Sequence, residues 1–363
     1  LVWKKNNYLK DWFKIMHRNL SIFVKHSILL LITILSLTSC DSISKGVHHA
    51  DEKTSLIAEE TEDTITCRLP DGNMSTVSKH PKRTIILLTS LLNLWVESGG
   101  TAIARCTGDL NVPPEARDIP QVGTFSNPNA EKVIALQPDL VISSDTTGFR
   151  DIIPILEQNN VPYAYFRYIN HYDYLNILDV FSRINGTEKM YHAAYDKMTA
   201  RIDAIVEGCK QFPAPKVLVI FTSTNSVSCE LPSSQTGVML TLLGAKNIIP
   251  EKYHYKTKTR IDFNLEKIVE LDPDIILLNT MGEVDACRDR LRKEFETNAA
   301  WSTLRAIKQG RFHVLPKKYF LYKPNDEFPE ALTYLARLLY PDINFSSPLS
   351  ADKNTKNSNR KDS

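Results

Sequence analysis

Two short segments carry the same polar and charged residues in the same order. Asn129-Ala130-Glu131-Lys132 recurs as Asn264-Leu265-Glu266-Lys267, and each copy runs on through a leucine to Pro-Asp. Over the fourteen positions from Asn129 and from Asn264, six residues are identical and five more exchange only Val, Ile and Leu, at an offset of 135. Asparagine is a favoured helix N-cap, so each Glu falls at the second helical position, where the positive end of the helix dipole favours a carboxylate. That effect alone is about 0.3–1 kcal/mol per residue. Two carboxylates at matched places also suit a two-fold symmetric partner carrying positive charge. Signatures of other chemistries are missing: G-x-S-x-G, H-E-x-x-H, G-x-x-x-x-G-K and G-x-G-x-x-G do not occur. The nine histidines are scattered, with His48-His49 in a polar stretch, and no cysteine pair has C-x-x-C spacing.

The elements that must position these residues are legible as period and punctuation. Short apolar runs at residues 83–89, 139–143, 216–221 and 274–278 lack alternation, as strands buried on both faces do. Helical stretches alternate with them, which predicts an α/β class with parallel sheets. Each repeat copy reads as a helix, a turn at Pro138 or Pro273, and a buried strand from Asp139 or Asp274. A helix over residues 234–243 closes at Gly244, and an earlier one closes near Gly99-Gly100. The repeats place matching units in two halves of the chain, implying two pseudo-symmetric lobes. Between them, residues 187–206 place Met190, Ala194, Met198, Ile202 and Ile205 on one helical face. Such a helix is either a strut between the lobes or a core helix of one of them.

The first forty residues differ from the rest. Residues 27–37 form an apolar run of 11 residues behind His17, Arg18, Lys25 and His26, too short to span a bilayer and suited to a signal-peptide core. It ends in Leu37-Thr38-Ser39-Cys40, similar to a lipobox, so Cys40 is expected to become the acylated N-terminus. Residues 41–77 read as a polar tether with a short strand near residues 65–69, and residues 346–363 as a disordered tail. With 44 Lys+Arg against 42 Asp+Glu the formal net charge is +2, which carries no footprint for nucleic acid as a partner. Pairing of Cys67, Cys106, Cys209, Cys229 and Cys287 is left open, since an extracytoplasmic compartment would permit disulfides.

Taken in order, the strand at 83–89, Val122-Gly123-Thr124-Phe125, both Glu-Lys-x-x-x-Leu-x-Pro-Asp segments, Gly244-Ala245-Lys246-Asn247-Ile248, Trp301 with Leu304 and Gly310, and Leu338-Leu339-Tyr340-Pro341 resemble the periplasmic substrate-binding proteins of ABC importers for ferric siderophores, haem and cobalamin. The likeness covers roughly residues 82–341. It implies two Rossmann-like α/β lobes bridged by one long helix, with a ligand cleft between them and no enzymatic activity. The expected organisation is a lipoprotein signal peptide (1–39), lipidated tether (40–80), N-terminal lobe (81–180), bridging helix (181–210), C-terminal lobe (211–342) and tail (343–363). It further implies that Glu131 and Glu266 dock to arginines of an ABC permease dimer, on the periplasmic side of the cell envelope. The resemblance implies no intrinsic cofactor and, as the transported ligand, an iron complex, haem or corrinoid.

In open α/β sheets ligands bind beyond the carboxyl ends of strands. On that basis the expected contacts are Thr89, Ser90, Leu91, Phe125, Ser144, Asp145, Tyr168 and His171 from the first lobe. The second lobe offers Thr222, Leu231, Tyr253, His254, Tyr255, Lys256, Arg260, Phe320 and Tyr322. Aromatic faces suit a macrocycle, and cations suit carboxylates or propionates; His171, Tyr253 and Tyr255 are also of a type to ligate haem iron. Two other readings remain at this stage, a zinc or manganese carrier of related architecture and an extracytoplasmic α/β enzyme.

Overall fold

The computed structural model describes residues 55–108, 111–250, 258–262 and 264–345, without the side chains of 294 and 296. The first described elements form a three-stranded antiparallel sheet of β1 (Ile57–Glu60), β2 (Thr64–Arg68) and β3 (Met74–Ser78). This corrects the tether expected to extend to residue 80. Ile65, Cys67 and Val77 alternate inward with period two and are buried, at most 1% exposed. They join the apolar core, and the Ser75 hydroxyl donates to the carbonyl of Tyr163. Glu60 ties the sheet down further, accepting from Lys79 at 2.7 Å and from Arg183 at 2.8 Å.

A parallel sheet follows, built from β4 (Thr84–Ile86), helix α1 (Thr89–Glu97), β5 (Ala104–Arg105), the small hairpin β6 (Gly123–Thr124) and β7 (Asn127–Pro128), α2 (Ala130–Ala135), β8 (Leu140–Ser144), α3 (Thr147–Gln158) and β9 (Tyr163–Phe166). Its strand order is β5-β4-β8-β9, all parallel. The first strand is shorter than the apolar run predicts, because α1 already begins at Thr89.

Two helices, α4 (His171–Asn185) and α5 (Glu188–Cys209), carry the chain to a second sheet. At 1.5 Å per residue the 22-residue α5 is about 33 Å long. Of the expected stripe it buries Met198, Ile202 and Ile205 and half-buries Ala194, while Met190 is exposed; Cys209 extends the buried face.

The second unit comprises β10 (Lys216–Ser223), β11 (Val227–Glu230), α6 (Gln235–Leu242), β12 (Lys246–Asn247), β13 (Arg260–Ile261), α7 (Leu265–Leu271), β14 (Ile275–Met281), α8 (Val284–Leu291), α9 (Arg305–Lys308), β15 (Phe312–Val314), α10 (Lys317–Phe320) and α11 (Phe328–Leu339). The order is β13-β11-β10-β14-β15, with β12 also on β10. The pairs β10–β12, β10–β14 and β14–β15 are parallel; the β11 and β13 pairings are antiparallel.

Alternation along the strands sorts the core. Ile86, Ile142 and Phe166 of the first sheet and Val217, Val219, Ile275 and Leu277 of the second enter one continuous core with α4, α5 and α11. The opposite faces build separate cores, with Ile85, Val141 and Tyr165 in one and Leu218, Ile220, Ile276 and Leu278 in the other. Ile343 and Phe345, placed in the tail by the sequence reading, also pack on the shared core. All five described cysteines are buried and unpaired as thiols.

The repeat has a structural purpose. Gln137 and Asp272, at matched positions before proline, both take the left-handed conformation, with φ of 46° and 42°. The next acidic residue caps a neighbouring strand: Asp139 accepts from the backbone N–H of Lys82 and Arg83 at 2.6 and 2.9 Å, and Asp274 from that of Lys216 at 2.8 Å. An arginine closes each helix end, Arg83 onto the carbonyls of Leu136 and Gln137, Arg305 onto that of Asp272. This capping starts each repeat strand one residue later than the sequence suggests.

If β1–β3 belong to the folded body, Ile65→Ala should lower the stability by about 2–5 kcal/mol in chemical denaturation. A loose tether would give a change below about 0.5 kcal/mol.

Candidate functional site

The repeat helices present their acidic residues as expected. Asn129 accepts from Lys132 N–H at 2.9 Å and Asn264 from Lys267 N–H at 3.0 Å. Glu131 and Glu266 stand exposed at the second position of α2 and α7.

Where the two sheets face each other, side chains of both halves are cross-linked. The Tyr168 hydroxyl donates to Asn325 Oδ1 at 2.8 Å, and Asn325 Nδ2 donates to the carbonyl of Ser90 at 3.0 Å. The N–H of Lys323 donates to Ser90 Oγ at 3.3 Å. Asn325 makes both contacts from a left-handed backbone, φ 51°, which asparagine tolerates better than most residues. Beside this clamp lies a cavity of about 400 Å³ lined by Asn93 and Glu97 of α1, Asn111 and Pro113, and Lys323 and Asp326 among others. The loop on its first-sheet side is shaped by the buried Arg105, whose guanidinium donates to the carbonyls of Cys106, Gly108, Ala116 and Arg117.

Charge is arranged around this junction. Lys323 is half-buried, with Nζ 5.2 Å from the Tyr168 ring centroid. Burial pulls its pKa down to about 8, against the attraction of Asp173 and Glu230. Glu230 is buried and accepts from Ser234 Oγ at 2.8 Å and Asn279 Nδ2 at 2.9 Å. Burial raises its pKa, opposed by these bonds and by Arg260. Arg260 is exposed and lies 3.8 Å over the Phe221 ring.

The expected ligand contacts divide. Thr89 and Ser90 lie in the first turn of α1, with Thr89 Oγ1 3.7 Å from Cys106 Sγ; Leu91 is fully buried behind them. Phe125 is 46% exposed at the tip of the β6–β7 hairpin. That hairpin rests against Gly148, where a Cβ would come within 1.9 Å of the Ser126 carbonyl oxygen. Asp145, beside half-buried Ser144, is ion-paired to Arg150 at 2.5 Å and lies 3.7 Å from Arg167. Tyr168 belongs to the clamp. Phe320, Thr222 and Leu231 are packed inside, Phe320 against Tyr319 and Tyr334. Tyr322 is half-buried, its carbonyl accepting from Gln235. Tyr253, His254, Tyr255 and Lys256, like Cys40, lie outside the described residues. Among the described residues expected to touch ligand, none lines the cavity. Among the described residues no three of His, Cys, Asp and Glu gather as a metal ion would need, and no helix is long and apolar enough to cross a membrane.

His171 is 2% exposed at the start of α4, its ring 4.0 Å from that of Tyr172 and 5.2 Å from that of Phe328. Burial presses its pKa down to about 4, and Nδ1 has no partner among the described residues. The sequence missed Glu230, Lys323 and Asn325. Lys323 and Asn325 flank Pro324 in a polar stretch that carries no periodicity, and Glu230 reads as an ordinary strand-end charge.

Residues 89–319, which include strands of both sheets, match the family model described as "Periplasmic binding protein". The chain belongs to this family. In sequence the periplasmic binding protein is 25% identical over 247 residues to the high-affinity heme uptake system protein IsdE of Staphylococcus aureus, covering 66% of this chain and 81% of that protein. In structure it is similar to S. aureus IsdE complexed with heme, at TM-score 0.63 and 22% identity, over 71% of this chain and 98% of that one. It is similar also to a periplasmic heme-binding protein from Pseudomonas aeruginosa, at TM-score 0.62 and 24% identity, over 74% and 96%. A third likeness is to the catecholate-siderophore binding protein VctP of Vibrio cholerae, at TM-score 0.61 and 15% identity, over 76% and 99%. These likenesses support the two-lobed fold with a bridging helix.

The depressed pKa of His171 has a consequence for stability. The unfolded chain takes up this proton near the ordinary value of 6.5, the folded chain only near 4. Stability is therefore complete above pH 6.5, falls as the pH drops toward 4, and levels below it, by at most about 3 kcal/mol. His171→Gln should flatten that part of the pH profile in urea denaturation.

Proposed function

We propose that this chain captures a haem, ferric siderophore or corrinoid in the cleft between its lobes and hands it to an ABC importer, binding without turnover. The observation that carries the reading is the family match over residues 89–319, which takes in strands of both sheets and the helix α5 between them. The relatives' ligands support the ligand class, since IsdE is a heme uptake protein and VctP binds a catecholate siderophore. Lipid anchoring through Cys40 on the periplasmic side of the envelope fits the sequence around it.

Delivery rests on Glu131 and Glu266. Both are exposed, both sit on Asn-capped helices of matching sequence, and a permease dimer would present its arginines in pairs. Reversing either charge should weaken the complex with permease by about tenfold while leaving ligand affinity unchanged, and raised ionic strength should weaken the wild-type complex likewise. Binding to permease vesicles and uptake, measured alongside ligand titration, check this; full uptake by a Glu131→Lys, Glu266→Lys double variant would reduce both residues to helix stabilisation.

The ligand reading is tested by the absorption spectrum of protein isolated from its native host. A Soret band, a catecholate-iron charge-transfer band or a corrinoid spectrum is expected. Protein that is colourless from its host and unresponsive to haemin, ferric siderophores and cyanocobalamin overturns it.

A further inference from the structure

Resting on that reading of the cleft, we propose that Asn325 is the residue that positions the two walls of the cleft against each other: its side-chain amide is a latch between the halves, and the opening of this latch sets how fast ligand leaves. The segment 323–328 of the second half seats among three element ends of the first. Asn325 lies between Tyr168, two residues beyond β9, and Ser90, in the first turn of α1. Phe328, the first residue of α11, sets its ring 5.2 Å from that of His171 at the start of α4. Asn325, Tyr168 and Ser90 are all buried, none more than 7% exposed.

Chemistry fixes which way the amide points. The Ser90 carbonyl can only accept, so the amide nitrogen must face it, and the amide oxygen is left to accept from the Tyr168 hydroxyl. The N–H of Lys323, donating to Ser90 Oγ, adds a second link from the same segment to the same serine. Hydrogen bonds weaken steeply with distance and angle, whereas apolar burial is non-directional. The shared apolar core therefore limits how far the halves separate, and the amide defines where they stop.

The same surroundings let the latch open. A buried amide is costly to unpair unless water replaces its partners at once. The cavity of about 400 Å³ borders Asn325 itself, with Asn93, Glu97 and Asn111 on its first-half wall and Asp326 and Glu327 on the other. A space so roomy and so polar admits water, which can take over the freed donor and acceptor. Asn325 is also held at φ 51°, a conformation that costs a residue with a side chain, so release of the amide relieves the backbone. Ser90 and Tyr168 stand just beyond the carboxyl ends of first-half strands, where open α/β sheets bind ligand, so parting the latch widens the cleft at the ligand. Dissociation then waits on the opening, as it does wherever a ligand is held between closing walls.

Two variants cut the latch and spare the fold around it. Tyr168→Phe keeps the ring and removes the donor, and Asn325→Gly removes the amide and leaves a residue at ease with the left-handed backbone. With whichever of haemin, a ferric catecholate and cyanocobalamin the wild type binds, dissociation is followed by stopped-flow tryptophan fluorescence on dilution. Each variant should release that ligand about tenfold faster, with association within about twofold of wild type. Because both substitutions cut one connection, the double variant should be no faster than Asn325→Gly alone. A purely structural role would instead lower the urea midpoint and leave release from the folded protein unchanged. Dissociation within about twofold of wild type in both single variants, or a double variant in which the two accelerations multiply, overturns the latch while leaving the importer reading in place. A wild type that binds none of the three ligands removes both.

Discussion

Val217, Val219, Ile275 and Leu277 of the second sheet and Ile86, Ile142 and Phe166 of the first bury into the same apolar mass. Everything else in the molecule is constrained by that continuity. At about 25 cal/mol per Å² of apolar surface, pulling the two sheets apart would expose enough of this core to be prohibitive. The lobes are therefore held at nearly fixed separation, and α5, locked onto the same core and tied to α11 by Arg201 and Glu330, stiffens the arrangement. What freedom remains is rocking, and the ligand site must be largely formed before ligand arrives.

The polar clamp of Tyr168, Asn325 and Ser90 lies beside that core and sets the relative position of the lobes more finely than apolar contact can. Packing is tolerant of small slides, whereas two hydrogen bonds to one buried amide are not. The clamp also presents Lys323 one residue from Pro324, so the same short segment fixes the interface and supplies its charge. Shape and electrostatics at the cleft are not independent properties of this chain.

Much of the fold was legible in the sequence because it depends on period and punctuation. The 14-residue repeat announced two halves, its Asn caps form as read, and the stripe from Met198 to Ile205 became the buried face of α5. Of the β1–β3 sheet only β2 was legible, as the short strand near residues 65–69; its partners were not. The strands are five residues or shorter, β1 itself ends in Glu59 and Glu60, and Glu62 and Asp63 follow, so composition masked the sheet that Ile65, Cys67 and Val77 anchor. The site was harder still. Strand-end logic singled out Tyr168 and Ser90, which the structure joins through Asn325, but a clamp linking residues 157 and 235 positions apart leaves no local pattern. Phe320 illustrates the converse, an aromatic of the right type that serves the core instead.

The cysteines have a practical corollary. Burial pushes the Cys67 and Cys229 thiols up to about 12 and Cys209 to about 11, and raises Cys106 and Cys287 as well. A thiol must ionise to react, so these five are silent toward maleimides and disulfide exchange while the fold persists. The folded body thus offers a blank background for site-specific labelling: a fluorophore pair introduced on the two lobes would report their rocking without first stripping the native sulfur from the core.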